Sequence, residues 1–439
     1  MARPRAHDPL QVYLNNRLVG HLRKDSGGAI SFVYDAAWLA WGHRLPISLS
    51  LPLTEETYRG ARVEAVFDNL LPDSPVLRRR VAERVGARGT DVYSLLEAIG
   101  RDCVGALQIV SEAAAPDIMS GTAGAVRGVA IDEDAIADIL RNLARAPLGL
   151  GNEDDFRLSI AGAQEKTAFL YRDGRWHKPL GTTATTHILK PQIGRLSNGI
   201  DLSNSVENEF YGLRLLGAFG VPVAEARIET FGDVRALVLT RFDRRWTRDG
   251  RLLRLPQEDC CQALGIPSTL KYQNQGGPGL TDLVRLLKGS DRPLDDPLTV
   301  FKAQVLFWLI GATDGHAKNV SVFLTPGGRY ALTPLYDVLT AQPSLDDGTI
   351  QKKAMKLAMA VGDRNHYRID DITGRHFLQT AARAGLPLPA ARAVLTEIAE
   401  SAEKALADTE AGLPMDFPAF IPDSVTRAVR ARRNRLIVP

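Results

Sequence analysis

Cysteine is scarce: Cys103, Cys260 and Cys261 are the only ones in 439 residues, too few for a disulfide framework, and the adjacent pair lacks zinc or redox spacing. Buried free thiols are the expected state. Long apolar runs are missing too, none approaching the roughly eighteen residues that cross a bilayer. The opening Met-Ala-Arg-Pro-Arg-Ala is followed by no apolar leader, so a cytoplasmic address is expected. Nor is there much charge of one sign. A formal net charge of +3 excludes a strong nucleic-acid field, and the basic run from Arg430 to Arg435 reads as a solvated helix end. Lysine is thin in the first 250 residues, where only Lys24, Lys166, Lys178 and Lys190 occur. A lysine inside a motif there suggests that a compact point charge is wanted.

What is present is the balance of a soluble globular protein, 45% hydrophobic and 24% charged, in a chain too long for one core. Two or three packed units follow. Residues 10–35 alternate apolar and polar around Asn15-Asn16, which predicts a β-hairpin. Helical spacing runs from Phe67 to Ala98 with breaks at Pro72 and Gly86, and a strand is expected over Val104 to Val110. The Ala/Gly-rich stretch from Ala113 to Gly128 reads as a surface linker, and helix resumes at Asp132. Strands are then predicted at Arg157 to Ile160, Thr167 to Tyr171, Thr186 to Lys190, Ala226 to Thr230 and Ala236 to Thr240. One amphipathic helix, Ser205 to Phe219, is inserted among them. Beyond Pro256 the pattern is mainly helical, with Phe301 to Ile310 apolar all round and therefore buried.

Three constellations carry chemistry. The first, Ser159-Ile-Ala-Gly-Ala-Gln-Glu-Lys166-Thr167, is a small-residue turn that superficially resembles a Walker loop. Glu165 stands where that loop needs glycine, and a strand follows instead of a helix, so a Walker site is disfavoured. Backbone N–H groups at Ala161, Gly162 and Ala163 could still approach phosphate oxygens, with Lys166 adding charge; plain turn chemistry is the competing reading. The second is Lys190 at the end of an apolar strand, followed by Glu207 and Glu209 on a helix, the pairing a kinase uses to hold phosphates. An ordinary strand-end lysine is the alternative.

The third is the most specific: Asp314-Gly-His316-Ala-Lys318-Asn319, a strand, the turn at Thr325 to Gly328, and a strand reaching Tyr336-Asp337. A hairpin there returns Asp337 to the end that Asn319 left. An amide and a carboxylate so placed suit Mg²⁺ on nucleotide phosphates. Asp314 precedes Asn319 by five residues, the interval between catalytic base and metal-binding Asn in the kinase pattern H-R-D-x-x-x-x-N. Tight turns and strand ends explain each piece singly; the ordered set is harder to explain that way.

These segments resemble the HipA family. The resemblance is carried by Phe67 to Ser74 (FDNLLPDS), Ile99 to Gly105, Ser159 to Thr167, Gln257 to Gln262 (QEDCCQ), Lys271-Tyr-Gln with Gly276 to Gly279, and Ala312 to Asn319 with Tyr336-Asp337. It implies an α+β, two-lobed, protein-kinase-like fold with a mixed α/β N-terminal part and an all-α C-terminal part. The expected divisions are 1–125 (N-terminal α+β subdomain), 126–250 (β-rich subdomain with the Gly-rich loop) and 251–439 (helical domain with catalytic and metal loops). It further implies that Asp314 is the catalytic base and that Asn319 and Asp337 bind Mg²⁺. ATP would meet Ala161, Gly162, Ala163, Gln164, Glu165, Lys166, Lys190, Arg241, Phe242, His316, Ala317, Lys318, Asn319, Tyr336 and Asp337. Ser159 matches the family's autophosphorylated serine. The implied role is a toxin kinase that inactivates a translation component, such as the glutamyl aminoacyl-tRNA synthetase, and brings on drug-tolerant dormancy. Its implied partner is a small helix-turn-helix antitoxin of the HipB kind, through which operator DNA is bound. A small-molecule kinase, or a catalytically silent scaffold for the antitoxin, are the competing readings.

Overall fold

The computed structural model describes residues 7–119, 121–150, 158–162, 164–196 and 199–437. The chain forms two units, each gathered from discontinuous stretches. Unit one holds Met1–Pro191, Glu229–Thr269 and Val322–Arg329; unit two holds Gln192–Ile228, Leu270–Ser321 and Tyr330–Pro439.

Unit one begins with the expected hairpin. Asn15 and Asn16 take φ of 44° and 67°, the positive pair that a two-residue turn needs to match strand twist. Strands Leu10–Leu14 and Arg17–Lys24 join Ile30–Tyr34, Tyr58–Arg59 and Leu107–Ser111 in an antiparallel five-stranded sheet. Of the helices Ala61–Asp68, Pro75–Val85 and Val92–Ile99, the last two follow the 67–98 periodicity, while the first begins before it. Ser74 caps the second with proline at its start, and Gly86 ends it in the left-handed region. The 113–128 stretch differs from its linker reading. Ala115–Met119 is a short helix whose Ala115 and Ile118 pack on Tyr13 and Val110, and Gly128–Ala130 is an edge strand. Apolar residues three apart bury a face even in an Ala-rich segment.

The second sheet of unit one runs from residues 229–231 of the strand Ala226–Phe231 through Val234–Thr240, His187–Pro191, Thr167–Arg172 and Arg175–Pro179 to Gly128–Ala130. Helix Glu133–Arg141 packs on it through Ile136, Ala137 and Leu140, meeting Phe169, Leu189 and Val238. The expected strand at 157–160 is not one. Arg157 lies outside the described residues, and 158–160 is buried coil whose backbone bonds to loops; Ser159 N–H, for instance, donates to the Asp102 carbonyl at 3.0 Å.

Unit two is helical, with a small ribbon of Lys356–Val361 and His366–Arg368 added to what the sequence predicts. Its centre is helix Asp295–Ile310, buried on every side from Val300 except at Lys302. Two of the polar groups it buries bond to distant backbone: Trp308 Nε1 donates to Ile369 O at 2.9 Å and Gln304 Nε2 to Met359 O at 2.9 Å. Around it lie Ser205–Ala218, Leu280–Leu287, Gly374–Ala384, Leu388–Glu410 and Phe420–Arg433. No described helix is long and apolar enough to cross a membrane.

Candidate active site

In unit one the loop 158–166 is docked on the 67–74 segment. Ser159 is fully buried and its Oγ donates to Leu70 O at 2.7 Å, Asp73 N–H donates to Gly162 O at 3.1 Å, and Pro72 bridges to Gly162. Lys166, 6% exposed, folds beneath the turn and donates from Nζ to Ala161 O at 2.7 Å. Gly162 has φ of 111°, a backbone region that L side chains rarely adopt, and it is this conformation that requires glycine. Ala163 lies outside the described residues. Gln164 Nε2 donates to Pro191 O at 3.2 Å, and Glu165 pairs with Arg80 at 2.7 Å. The next segment is the strand Thr167–Arg172, as the argument against a Walker loop expects.

Lys190 lies in the middle of this second sheet, opposite Leu237, and is 5% exposed. Arg241 follows the strand Val234–Thr240, but its guanidinium turns inward. It bonds Asp243 at 2.7 Å, Thr185 Oγ1 at 2.9 Å and the Cys103 carbonyl at 3.1 Å. Its neighbour Phe242 packs edge-on against Phe323.

In unit two, helix Asp295–Ile310 ends at Gly311 and the chain enters the loop 312–319. Gly315 fits because no side chain is there; a Cβ would meet the Phe307 ring at 2.4 Å. Asp314 O accepts from His316 N–H at 2.8 Å and from Asn319 Nδ2 at 3.0 Å, so the loop closes on the Asp314 carbonyl. The Asp314 carboxylate is exposed. Its Oδ1 accepts from Tyr272 Oη at 2.6 Å, and His316 Nε2 stands 3.9 Å from Oδ2. His316 is buried with its ring edge-on to Tyr272; Ala317, Lys318 and Asn319 are buried in a single tight turn.

The hairpin that follows is anchored on both sides of Asp337. Tyr336 Oη bonds Ser321 Oγ at 2.6 Å and donates to Lys318 O at 2.9 Å. Thr340 Oγ1 donates to Ile310 O at 2.5 Å, and Ala341 N–H to Gly311 O at 2.9 Å. Helix Ser205–Ala218 adds a brace: Asn208 exchanges two 2.8 Å bonds with the backbone of Thr340, and Gly212 lets Val338 O lie where its Cβ would be. The returning strand is shorter than expected, ending at Leu332; Pro334 and a left-handed Asp337, φ 60°, break it. A non-glycine residue in that region stores strain and often marks a functional position. On the same helix Glu207 accepts from Gln192 Nε2 at 2.7 Å.

Sequence reasoning gave no role to Tyr272, Asn208 or Asp102. Tyr272 was visible as the one aromatic in the polar, glycine-rich run 271–279. Asn208 carried no signal beside Glu207 and Glu209.

Two family profiles match: residues 10–110 the HipA N-terminal domain and residues 158–406 the HipA-like C-terminal domain. Among curated relatives, Y4mE of Sinorhizobium fredii, which carries the name of a kinase, is 36% identical over 402 residues and 91% of each chain. HipA of Shewanella oneidensis, named a serine/threonine-protein kinase toxin, is 28% identical over 420 residues, 92% of this chain and 90% of that one. The structure of Shewanella oneidensis HipA solved with HipB and operator DNA superposes with a TM-score of 0.79 at 25% identity, covering 97% of this chain and 98% of that one. The fold is the kinase-like HipA fold, and the chain belongs to the HipA family.

Proposed function

We propose that the chain is the toxin of a toxin–antitoxin pair, an ATP-dependent kinase that transfers a phosphoryl group to serine or threonine of a protein. The observation that carries the reading is the pair of anchors, Ser321–Tyr336 and Ile310–Thr340, that tie the chain flanking Asp337 to the chain flanking Asp314 and Asn319.

Asp314 is the base: exposed, and oriented by Tyr272, it accepts the proton of the incoming hydroxyl. Asn319 is held by its Nδ2 end, which makes Oδ1 the donor atom it can offer a cation. With the Asp337 carboxylate this is a hard, oxygen-only set that fits Mg²⁺. Bound there, Mg²⁺ would neutralise charge on the nucleotide phosphates. Lys166, Lys190 and the backbone around Gly162 are assigned to the phosphates. Arg241 and Phe242 are assigned to the base of ATP through the main chain, since the Arg241 guanidinium is committed elsewhere.

Ser159 is assigned as the autophosphorylation site. In the docked loop its Oγ is buried and bonded to Leu70 O, so modification requires the loop to leave its seat, and the added charge would then oppose its return. An aminoacyl-tRNA synthetase, the glutamyl enzyme first, is the proposed substrate. A HipB-like helix-turn-helix protein is the proposed partner, as in the Shewanella complex, with operator DNA bound mainly through it. This assembly would work in the cytoplasm.

Intact mass spectrometry of purified wild type and Asp314→Asn tests the reading. One added phosphate on wild type alone, mapped to Ser159, together with transfer from radiolabelled ATP to a purified synthetase, is the expected result. Label passing only to a small metabolite would instead make this a small-molecule kinase. Equal toxicity of Asp314→Asn and wild type would leave a scaffold.

A further inference from the structure

Unit one buries a cluster of charge that does not balance. Arg241, Arg244 and Arg254 face Asp102 and Asp243 at 2.7 to 3.5 Å, with every side chain at most 4% exposed. Among the described residues, three guanidiniums against two carboxylates leave one positive charge over, in an interior where unpaired charge is costly. Burial, then the neighbouring Arg241, pulls the Arg244 pKa down to about 10.

Arg254 is the member at the edge of the cluster. Its Nε donates to Asp102 Oδ1 at 2.9 Å and its Nη2 to Thr182 O at 2.8 Å, while Nη1 takes part in no hydrogen bond among the described residues. Arg254 also lines a recess of about 280 Å³ whose other polar walls are Asn16, Thr122, Arg127, Thr182 and Thr183. No Asp or Glu is among the lining residues. Arg127 is exposed at the rim, its N–H fixed to Thr183 Oγ1 at 3.0 Å.

We propose that this recess binds a small phosphate-class oxyanion, either inorganic phosphate or a compact phosphate ester, between Arg127 and Arg254. Planar guanidiniums match the oxygens of such a group, and threonine hydroxyls can bond the remainder. The bound anion supplies the negative charge that the cluster lacks. The recess falls at the small end of ligand sites, which favours phosphate or a short ester over a nucleotide.

Occupancy has a route to the phosphate loop. Asp102, the partner of Arg254, also accepts from Ser159 N–H through its carbonyl, and from Thr185 N–H and Oγ1 at 3.1 and 2.8 Å through its carboxylate. Thr185 stands two residues before the strand that carries Lys190. Filling the recess is expected to stiffen the docked loop. The proposal does not depend on the chain being a kinase.

The test uses the full chain with Mg²⁺ and a saturating non-hydrolysable ATP analogue, so that phosphate cannot register at a nucleotide site. Sodium phosphate and glycerol 3-phosphate are titrated separately against sodium chloride of equal ionic strength, and thermal unfolding is followed. A saturable rise in Tm is expected, with half-saturation at least about tenfold weaker in Arg127→Ala and in Thr183→Val, the loss of one charge-assisted or hydroxyl contact. A rise with phosphate alone assigns the free ion; a larger rise with glycerol 3-phosphate assigns the ester. No rise beyond chloride with either probe, or equal rises in wild type and both variants, would overturn the proposal.

Discussion

A single hydroxyl decides how the proposed base is held. Tyr272 Oη donates to Asp314 Oδ1, while the Tyr272 ring packs edge-on against His316. Replacing Tyr272 by Phe removes the hydrogen bond and keeps the packing. Because the bond orients a group that acts in the transition state, kcat is expected to fall about tenfold with KM for ATP unchanged, the loss of one hydrogen bond near the reacting atoms. Tyr272→Ala should lower kcat as far and lower Tm as well. If Tyr272→Phe matched wild type while Tyr272→Ala lost only stability, the tyrosine would be packing and nothing more. Another residue carries a pH dependence unrelated to catalysis. Glu258 is 1% exposed, its Oε1 accepting from Leu49 N–H at 2.7 Å, and burial pushes its pKa from 4.5 up to about 8. Between those values the folded chain keeps a proton that the unfolded chain has released. Stability contributed by protonated Glu258 is therefore whole below pH 4.5 and drains away as pH rises toward 8, by at most about 1.4 kcal/mol per pH unit. Glu258→Gln should match wild type near pH 5 and melt higher than it at pH 8. Parallel Tm–pH curves for the two proteins would remove Glu258 as the cause.

At the scale of elements, the docked loop 158–166 lends itself to a sharper test than any one side chain. Gly162→Ala places a Cβ against Lys166 Nζ in a backbone region that L residues avoid. The loop should leave its seat on the 67–74 segment. ATP affinity is expected to weaken at least about tenfold, with protection of the Ser159 amide lost in hydrogen exchange while that of the second sheet persists. Unchanged protection at Ser159 would show that the loop tolerates the methyl. This loop also shows what the sequence could and could not tell. Periodicity located the strand after Lys166, the helix Ser205–Ala218 and the buried helix before Gly311, because each buries one face or all faces of a regular element. It misplaced a strand at 158–160, where apolar residues are buried by loops and not by a ladder, and it read 113–128 as a linker. The return of Tyr336, the residue before Asp337, to Lys318 and Ser321 followed from hairpin geometry. The brace from Asn208 and Gly212 did not, since side-chain bonds to a distant backbone leave no period in the sequence.

Over the whole molecule the decisive fact is that neither unit is continuous. Unit one needs Val322–Arg329, which follows the whole central helix of unit two in the chain. Within unit one that short return contributes Leu324 N–H to Pro256 O at 2.9 Å and the Phe323 ring against Phe242. It also closes the three-stranded sheet on Gln257–Asp259, the strand leading into the helix Cys260–Leu264 that Asp259 caps. A chain ending at Thr269 therefore lacks a strand of its own sheet, and leaves the backbone of 256–259 without that partner. Such a chain is expected to melt lower and less cooperatively than unit one does in the full protein. Adding residues 320–331 after Thr269 through a short Gly/Ser linker should restore a sharp transition, because the missing piece is a local hairpin whose closure costs little chain entropy. Circular dichroism melts of the two chains separate the outcomes. A sharp, wild-type-like melt of the chain ending at Thr269 would mean that unit one owes nothing to the returning strand, and that the crossing of the chain is topology without energetic consequence.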